Sequence, residues 1–174
     1  MEKTSFRNGP DSKDIIVADL TTNGVGSGDE QIGKKMMKSV PKSVKRAFGD
    51  GAYDGNEFRR EVEDSGAESI IPPPRDAVVH PNSVDPAIKK RSGAIWEMPA
   101  LGGDDEARKL WKILKSYHRR SLAETTMYRI KQLTGGNLRS REWERQCVEG
   151  YIKCLVINKM NSLGMPNGVW EEVA

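Results

Sequence analysis

Cysteine and histidine are scarce in this sequence, with two of each among 174 residues. Cys147 and Cys154 are seven positions apart on one predicted helix, which separates them by about 10 Å along its axis, too far for a disulfide. His80 and His118 have no cysteine or further histidine near them in the sequence. These counts exclude a fold held by disulfides and argue against a zinc site. Buried thiols in a reducing compartment are expected instead.

The sequence also contains no apolar stretch that approaches the roughly 20 residues of a membrane-spanning helix. The segment 1–13 is polar and is not followed by the apolar core of a secretory signal. We therefore expect no membrane association and a cytoplasmic location. The size of 174 residues, with 36% hydrophobic and 30% charged residues, suits one globular domain.

Positive charge is concentrated in one part of the chain. The net charge is only +3, but the segment 104–145 has eleven Lys or Arg against six Asp or Glu, a balance of 11 − 6 = +5. Such a local excess favours contact with a phosphate backbone. A solvated helical face is the alternative interpretation.

The order of apolar segments and turns predicts an α/β fold. Predicted elements are a strand at 14–22, a helix at 30–40, a strand at 44–48, a turn at 49–52, a helix at 55–65, a strand at 67–71, and helices at 104–116, 117–131 and 139–164. The two strands flanking the helix at 55–65 form a parallel βαβ unit, with Asp50 just beyond the carboxyl end of the first. Asp54 is interpreted as the cap of that helix.

The domain boundaries follow from composition. Residues 1–13 are expected to be disordered or irregular, and residues 14–174 to form the domain. The segment 75–103 is rich in proline, glycine and scattered charge, and is interpreted as an excursion from that domain, with an interdomain linker as the alternative.

The helix predicted at 117–131 carries the most specific pattern in the chain. Tyr117, Arg120, Glu124 and Lys131 fall within an arc of about 60° on one face, given about 100° per residue. An acid, two cations and a phenol on one face indicate a functional site. An ordinary solvated helix with an Arg120–Glu124 ion pair is the alternative.

The spacing of these four residues resembles the signature of the DDE transposases of bacterial insertion sequences, the IS-four and IS-five groups. The segment G-D-G-A-Y-D around Asp50 is similar to the block that holds their second catalytic aspartate. The resemblance implies that Asp50 and Glu124 are catalytic and bind a metal, and that Tyr117, Arg120 and Lys131 contact DNA. It gives Asp54 no catalytic role, and it implies that cations of the excursion, Arg75, Lys89, Lys90 and Arg91, also grip DNA.

The same resemblance implies an RNase H-like core, a mixed sheet flanked by helices, with Mg²⁺ between carboxylates for DNA strand cleavage and strand transfer. In that fold another aspartate ends a hydrophobic strand ahead of Asp14. Residues 1–13 contain no such strand, so we expect an N-terminally truncated domain without its first strand, which binds Mg²⁺ weakly and is inactive alone. Whether Asp11 replaces the missing aspartate is left open.

Two other functions stay open at this point. The chain is alternatively a non-catalytic DNA-binding or oligomerising fragment that modulates an intact transposase, or a structural domain with no specific role for its charged helix. The expected partners are DNA and either further copies of the chain or an intact transposase.

Overall fold

The protein was analysed as a computed structural model, which describes residues 2–6, 14–21, 29–103 and 105–164. Helices and strands are mixed in these segments, as the α/β prediction requires. The elements in chain order are β1 (Glu2–Phe6), β2 (Val17–Thr21), α1 (Asp29–Met37), β3 (Arg46–Phe48), a 3-10 turn (Gly51–Tyr53), α2 (Asn56–Asp64), β4 (Glu68–Ile70), α3 (Pro86–Ala100), α4 (Asp105–Leu114), a second 3-10 turn (Tyr117–Arg120), α5 (Ser121–Thr134) and α6 (Trp143–Ser162).

The strands of the described segments pair two by two. β1 and β2 are antiparallel, and β3 and β4 are parallel, with Arg46 opposite Glu68 and Phe48 opposite Ile70. The parallel βαβ unit is therefore confirmed. The continuous mixed sheet that we expected is not seen among the described residues, which form two separate two-stranded sheets.

The N-terminal prediction is wrong for the first few residues. The segment 1–13 was expected to be irregular, yet residues 2–6 form β1, whose backbone pairs with β2 from Glu2 opposite Thr21 to Phe6 opposite Val17. A ladder satisfies backbone donors and acceptors whatever the side chains, so a polar strand is stable beside a suitable partner. Residues 7–13, with Asp11, lie outside the described residues.

The βαβ unit is built around a compact apolar cluster. Phe58 and Val62 of α2 are 1% and 0% exposed, so this helix turns an apolar face to the core. Gly66 follows the helix with φ +82°, a conformation that favours glycine. The cluster comprises Met37, Val40, Ala47, Phe58, Val62, Ala67 and Ile71.

The long helix α6 is fixed to the segment that leads into β2. The amide of Asn158 exchanges two hydrogen bonds of 2.7 Å with the backbone of Ile15, accepting from its N–H and donating to its C=O. At Gly150 a Cβ would lie 2.5 Å from Leu20 Cδ1, so glycine permits this close approach of helix and strand. Ile15, Ile130, Cys154 and Ile157 complete a second buried cluster.

The aromatic residues of α6 do not face the core. Trp143 and Tyr151 are 43% and 46% exposed. The buried positions of this helix are Gly150, Lys153, Cys154 and Ile157, because the requirement for a small residue against β2 rotates the helix away from its aromatic side chains.

The segment 75–103 contains helix α3. Asp85 caps it, with its carboxylate accepting from the N–H of Ala87 at 2.9 Å and of Ile88 at 3.4 Å. A third cluster, Ile70, Met98 and Trp111, joins α3, α4 and β4, and Tyr117 packs against it.

The single helix predicted over 117–131 is interrupted. Ser116 has φ +56°, which ends the α4 segment, and residues 117–120 form a 3-10 turn before α5 begins at Ser121. The sequence contains no glycine or proline at this point, so the break has no sequence signal of the usual kind. Across the described part of the chain, no helix combines the length and apolar content needed to cross a bilayer.

Candidate active site

Asp50 lies immediately after β3, at the carboxyl end of a parallel strand. Its Oδ1 accepts a hydrogen bond from the N–H of Ala52 at 3.1 Å, which caps the 3-10 turn that follows. Gly49 before it is buried, and a Cβ there would lie 3.0 Å from Tyr53 Cβ and 3.3 Å from Ile71 Cγ1. The loop is thus packed closely enough to hold Asp50 at one position, with half of its side chain exposed.

Glu124 lies in the first turn of α5, where the positive end of the helix dipole favours a carboxylate. The 3-10 turn that precedes the helix contacts β3, so the start of α5 is held beside the strand that leads to Asp50. Two acids separated by 74 positions in the sequence (124 − 50) therefore belong to one surface.

Arg120 connects the two acids. Its Nη2 lies 2.7 Å from Glu124 Oε1, and its Nη1 lies 3.6 Å from Asp50 Oδ2. The three side chains are 33% to 60% exposed, so the pairs are partly screened by solvent. The guanidinium balances one of the two negative charges, and the trio carries a net charge of −1.

Tyr117 forms the apolar wall of this site. Its ring lies 5.9 Å from the Arg120 Cζ and 5.6 Å from the Lys112 Nζ. Burial raises the pKa of the Tyr117 phenol above its usual value, and the charges of Asp50 and Glu124 raise it further, while Arg120 acts in the opposite direction. The hydroxyl is therefore a protonated hydrogen-bond donor at neutral pH.

Lys131 stands apart from the other four residues predicted for the site. It is exposed on α5, seven residues after Glu124, which places it about 10 Å farther along the helix axis. Within the described residues, Asp50, Tyr117, Arg120 and Glu124 come together, whereas Lys131 extends the same surface away from them.

Asp54 is where the sequence interpretation was wrong. It was expected to cap α2, but the cap position is Gly55, and the carboxylate that accepts from the first turn is that of Glu30, at 3.4 Å from the N–H of Phe58. The Asp54 carboxylate is instead 6% exposed and receives two guanidinium groups, from Arg59 Nη2 at 2.6 Å and from Arg91 Nη2 at 2.9 Å. Arg59 and Arg91 draw the Asp54 side chain inward, so its carboxylate does not cap α2.

The buried Arg59 ties this carboxylate to β4 and the residue after it. The guanidinium donates to Ser69 Oγ at 3.2 Å and to the carbonyl of Ile71 at 3.0 Å, besides Asp54. Burial lowers the pKa of Arg59, and the charge of Asp54 opposes that effect. On α2, Arg59 lies about 60° from the buried Val62, so its position beside the inward face is the sequence signal for its burial.

The other cations of the segment 75–103 have protein partners. Arg91 is committed to Asp54, Lys90 pairs with Glu63, and Arg75 pairs with Asp105. Only Lys89 among the four named has no such ion pair in the described part of the chain. DNA binding by this segment stays a prediction, and it would require Arg75, Lys90 and Arg91 to leave their carboxylate partners.

The site offers two carboxylates as ligands for a divalent cation. Asp50 and Glu124 offer hard carboxylate oxygens, the ligands that Mg²⁺ prefers, and both are half or more exposed. No group of three or more His, Cys, Asp or Glu side chains suitable for a metal is found among the described residues. The pair fits a divalent cation by ligand type, provided that Arg120 turns away from the space between the acids.

Comparison with known proteins adds the family. Residues 9–159 match the model of a family described as the transposase DDE domain, and this range contains Asp50, Tyr117, Arg120, Glu124 and Lys131. No solved structure matches the chain. The matched range spans 151 residues (159 − 9 + 1) of the 174. The chain therefore belongs to the transposase DDE domain family.

Proposed function

We propose that this chain carries the catalytic carboxylates of a DNA transposase of the insertion-sequence type, with an RNase H-like core. The observation that carries the proposal is the shared guanidinium: Arg120 contacts both Asp50 and Glu124, acids far apart in the sequence. Membership in the transposase DDE domain family supports DNA as the substrate.

The proposed roles follow from position and charge. Asp50 and Glu124 would hold Mg²⁺, and they would hold it weakly in this chain, because the further aspartate that the resemblance places ahead of Asp14 is the one we expect it to lack. When bound, the metal supplies activation of the attacking oxygen and stabilisation of the leaving oxygen in a displacement at phosphorus. Arg120 then turns to a DNA phosphate, and the Tyr117 hydroxyl donates to the strand being cut.

Lys131 extends this surface along the DNA backbone. Its exposed ammonium, about two helical turns from Glu124, contacts a neighbouring phosphate. Arg119 and Lys112, also exposed, lie near the same 3-10 turn and add to the positive field.

Mn²⁺ binding, measured by electron paramagnetic resonance, tests the metal proposal, because this method detects weak sites. Asp50→Asn and Glu124→Gln should each weaken binding by tenfold or more, since each removes a negatively charged ligand. Asp76→Asn, an exposed carboxylate outside this site, is the matched control and should bind as the unmodified chain does. Equal binding by all four proteins would show that Asp50 and Glu124 are only a turn residue and a helix-surface acid.

A second candidate, DNA binding without cleavage, is favoured by the exposed cations Lys112, Arg119 and Lys131. Its test is the salt dependence of binding to a labelled duplex. Arg120→Ala combined with Lys131→Ala should reduce the slope of log K against log salt by about 1.8, the value for two phosphate contacts. The control is Lys38→Ala with Lys42→Ala, two exposed lysines elsewhere. An unchanged slope in the first pair would remove this surface from DNA recognition.

A further inference from the structure

Two aspartates lie at opposite ends of the 3-10 turn Gly51–Tyr53. Asp50 caps its start, where its Oδ1 accepts from the N–H of Ala52 at 3.1 Å. Asp54 follows its end, and its backbone N–H donates to the carbonyl of Gly51 at 3.1 Å. Only three residues separate the two acids, and hydrogen bonds close the turn at both ends, so the backbone between them has little freedom. A shift of Asp54 therefore moves Asp50.

The two acids differ in how firmly they are held. The Asp50 carboxylate is 50% exposed and lies 3.6 Å from Arg120. The Asp54 carboxylate is 6% exposed, and its Oδ1 accepts from Arg59 Nε at 2.9 Å and Nη2 at 2.6 Å. Its Oδ2 accepts from Arg91 Nη2 at 2.9 Å. These charge-assisted bonds fix the position of Asp54 more firmly than that of Asp50. We call Asp54, Arg59 and Arg91 the Asp54 cluster.

The two arginines connect Asp54 to different parts of the fold. Arg59 of α2 also donates to the carbonyl of Ile71 at 3.0 Å, which ties Asp54 to the end of β4. Arg91 belongs to α3 and also donates to the carbonyl of Val78 at 3.2 Å, in the loop before that helix. Asp54 is therefore held from the sheet by one arginine and from α3 by the other.

The composition of the Asp54 cluster indicates a role in geometry. The side chains of Arg59 and Arg91 are 2% and 12% exposed, and they share one carboxylate. Removing two cations from water opposes folding, and apolar side chains often stabilise a buried contact better than such an ionic cluster does. A guanidinium donates in fixed directions, so the cluster supplies a defined position for the acid between the two arginines.

We propose that the Asp54 cluster positions Asp50, and that Arg91 is the positioning residue through which α3 influences the candidate active site. The proposal rests on the proposed role of Asp50 as a metal ligand. A ligand works only when the residues behind it hold it within a fraction of an ångström of the productive geometry. Asp50 has no side-chain packing to do this, because half of its side chain is in solvent.

Arg91→Gln is the informative variant. It leaves Asp54 paired with the buried Arg59, so the fold should be retained, but it releases Asp54 from α3. Electrostatics alone predicts that the loss of a cation strengthens the binding of a divalent metal ion. Loss of position predicts weaker binding. The sign of the change therefore distinguishes the two effects.

Arg60→Gln is the matched control. Arg60 is an exposed arginine of α2 that also links this helix to α3, since it pairs with Asp85 at the start of α3. Its replacement removes the same charge and a similar link between the helices, but leaves the Asp54 cluster intact. It should change neither the turn nor the metal affinity.

The first test needs no metal. Amide hydrogen exchange of the full chain, followed by nuclear magnetic resonance, reports the three N–H groups bonded within the turn, those of Ala52, Tyr53 and Asp54. In Arg91→Gln they should exchange about tenfold faster, while the amides of α6 keep their rates. Unchanged rates in the turn would overturn the proposal. Equal acceleration of all amides would also overturn it, because it would show a loss of overall stability.

The second test is Mn²⁺ affinity, measured by electron paramagnetic resonance with Asp50→Asn as the reference. Arg91→Gln should weaken binding about tenfold, and Arg91→Lys, which retains the charge, should recover part of it. If Asp50→Asn weakens binding and Arg91→Gln does not, Asp50 is a ligand that the cluster does not position, and this inference is wrong. If Asp50→Asn has no effect, the proposed metal site is wrong, and this inference fails with it.

Discussion

Arg120 and Glu124 are one helical turn apart, and the Nη2 of the arginine lies 2.7 Å from the Oε1 of the glutamate. The same guanidinium lies 3.6 Å from Asp50 through its other nitrogen. Two acids this close to one cation are neutralised by it in part, as a metal ion would neutralise them. The arginine therefore acts as an internal counter-ion between the two proposed metal ligands.

A competition between arginine and metal follows from this geometry. Arg120→Gln should tighten Mn²⁺ binding several-fold, because the acids lose the cation that now shields them. The same variant should weaken DNA binding, since a proposed phosphate contact is lost. A titration with Mn²⁺, followed by calorimetry or electron paramagnetic resonance, measures the first effect. Binding to a labelled DNA duplex measures the second.

Arg119→Gln is the matched control for that variant. Arg119 is the adjacent exposed arginine and forms no ion pair with Asp50 or Glu124 among the described residues. It should leave Mn²⁺ affinity unchanged. Weaker Mn²⁺ binding in Arg120→Gln would mean that Arg120 orients the two acids instead of competing for them.

Removal of Asp54 should be costly to the fold. Asp54→Ala leaves Arg59, which is 2% exposed, without its buried counter-ion, and such losses amount to about 3–5 kcal/mol. Urea unfolding followed by circular dichroism measures the change. Asp85→Ala, which removes a partly exposed cap and ion pair, should cost much less. Equal losses in the two variants would show that the Asp54 cluster contributes no more than a surface pair.

The Tyr117 phenol should make stability fall at alkaline pH. Its pKa is raised in the folded protein, so above the ordinary tyrosine pKa the unfolded chain loses the proton while the folded chain retains it. The contribution is complete below the unfolded pKa and is lost as pH rises through the folded one. Tyr117→Phe should flatten the decline above about pH 10, measured by denaturant unfolding. Tyr128→Phe, at a tyrosine that is 63% exposed, is the control. A decline unchanged in Tyr117→Phe would assign it to other groups.

Glu149 should control stability in acid. The N–H groups of Ser140 and Arg139 donate to its carboxylate at 2.9 to 3.0 Å and lower its pKa to about 2. Because the folded pKa is lowered from the ordinary value of 4.5, the contribution is present above pH 4.5 and is lost as pH falls towards 2. Glu149→Gln should therefore reduce stability at pH 6 and flatten its loss in acid. Glu142→Gln, an exposed neighbour on the same helix end, should keep the original profile.

The sequence predicted the local pieces of the site well. Asp50 was placed at the end of a strand, and the Arg120–Glu124 pair was expected one helical turn apart, because both depend on short-range periodicity. The contact between Arg120 and Asp50 depends on how α5 approaches β3 and needs the tertiary structure. The resemblance to the family motif alone predicted that Asp50, Arg120 and Glu124 share one site.

Long-range constraints explain what the sequence did not predict. Asp54 looked like a helix cap because an acid before a helix usually is one, yet Arg91 from a segment 37 positions away draws it inward. The turn at Ser116 has a left-handed conformation at a residue that seldom adopts it. The inward face of α6 is determined by the close approach of Gly150 to Leu20, a contact that the hydrophobic periodicity of the sequence does not predict.

The two hydrogen bonds between Asn158 and Ile15 have a consequence for synthesis on the ribosome. They join residues 143 positions apart, so the backbone of Ile15 finds these partners only after α6 has been synthesised. The parallel β3–β4 unit, by contrast, closes within about 20 residues and forms early. We therefore expect folding to start at the βαβ unit, and the contact of α6 with the segment leading into β2 to form later.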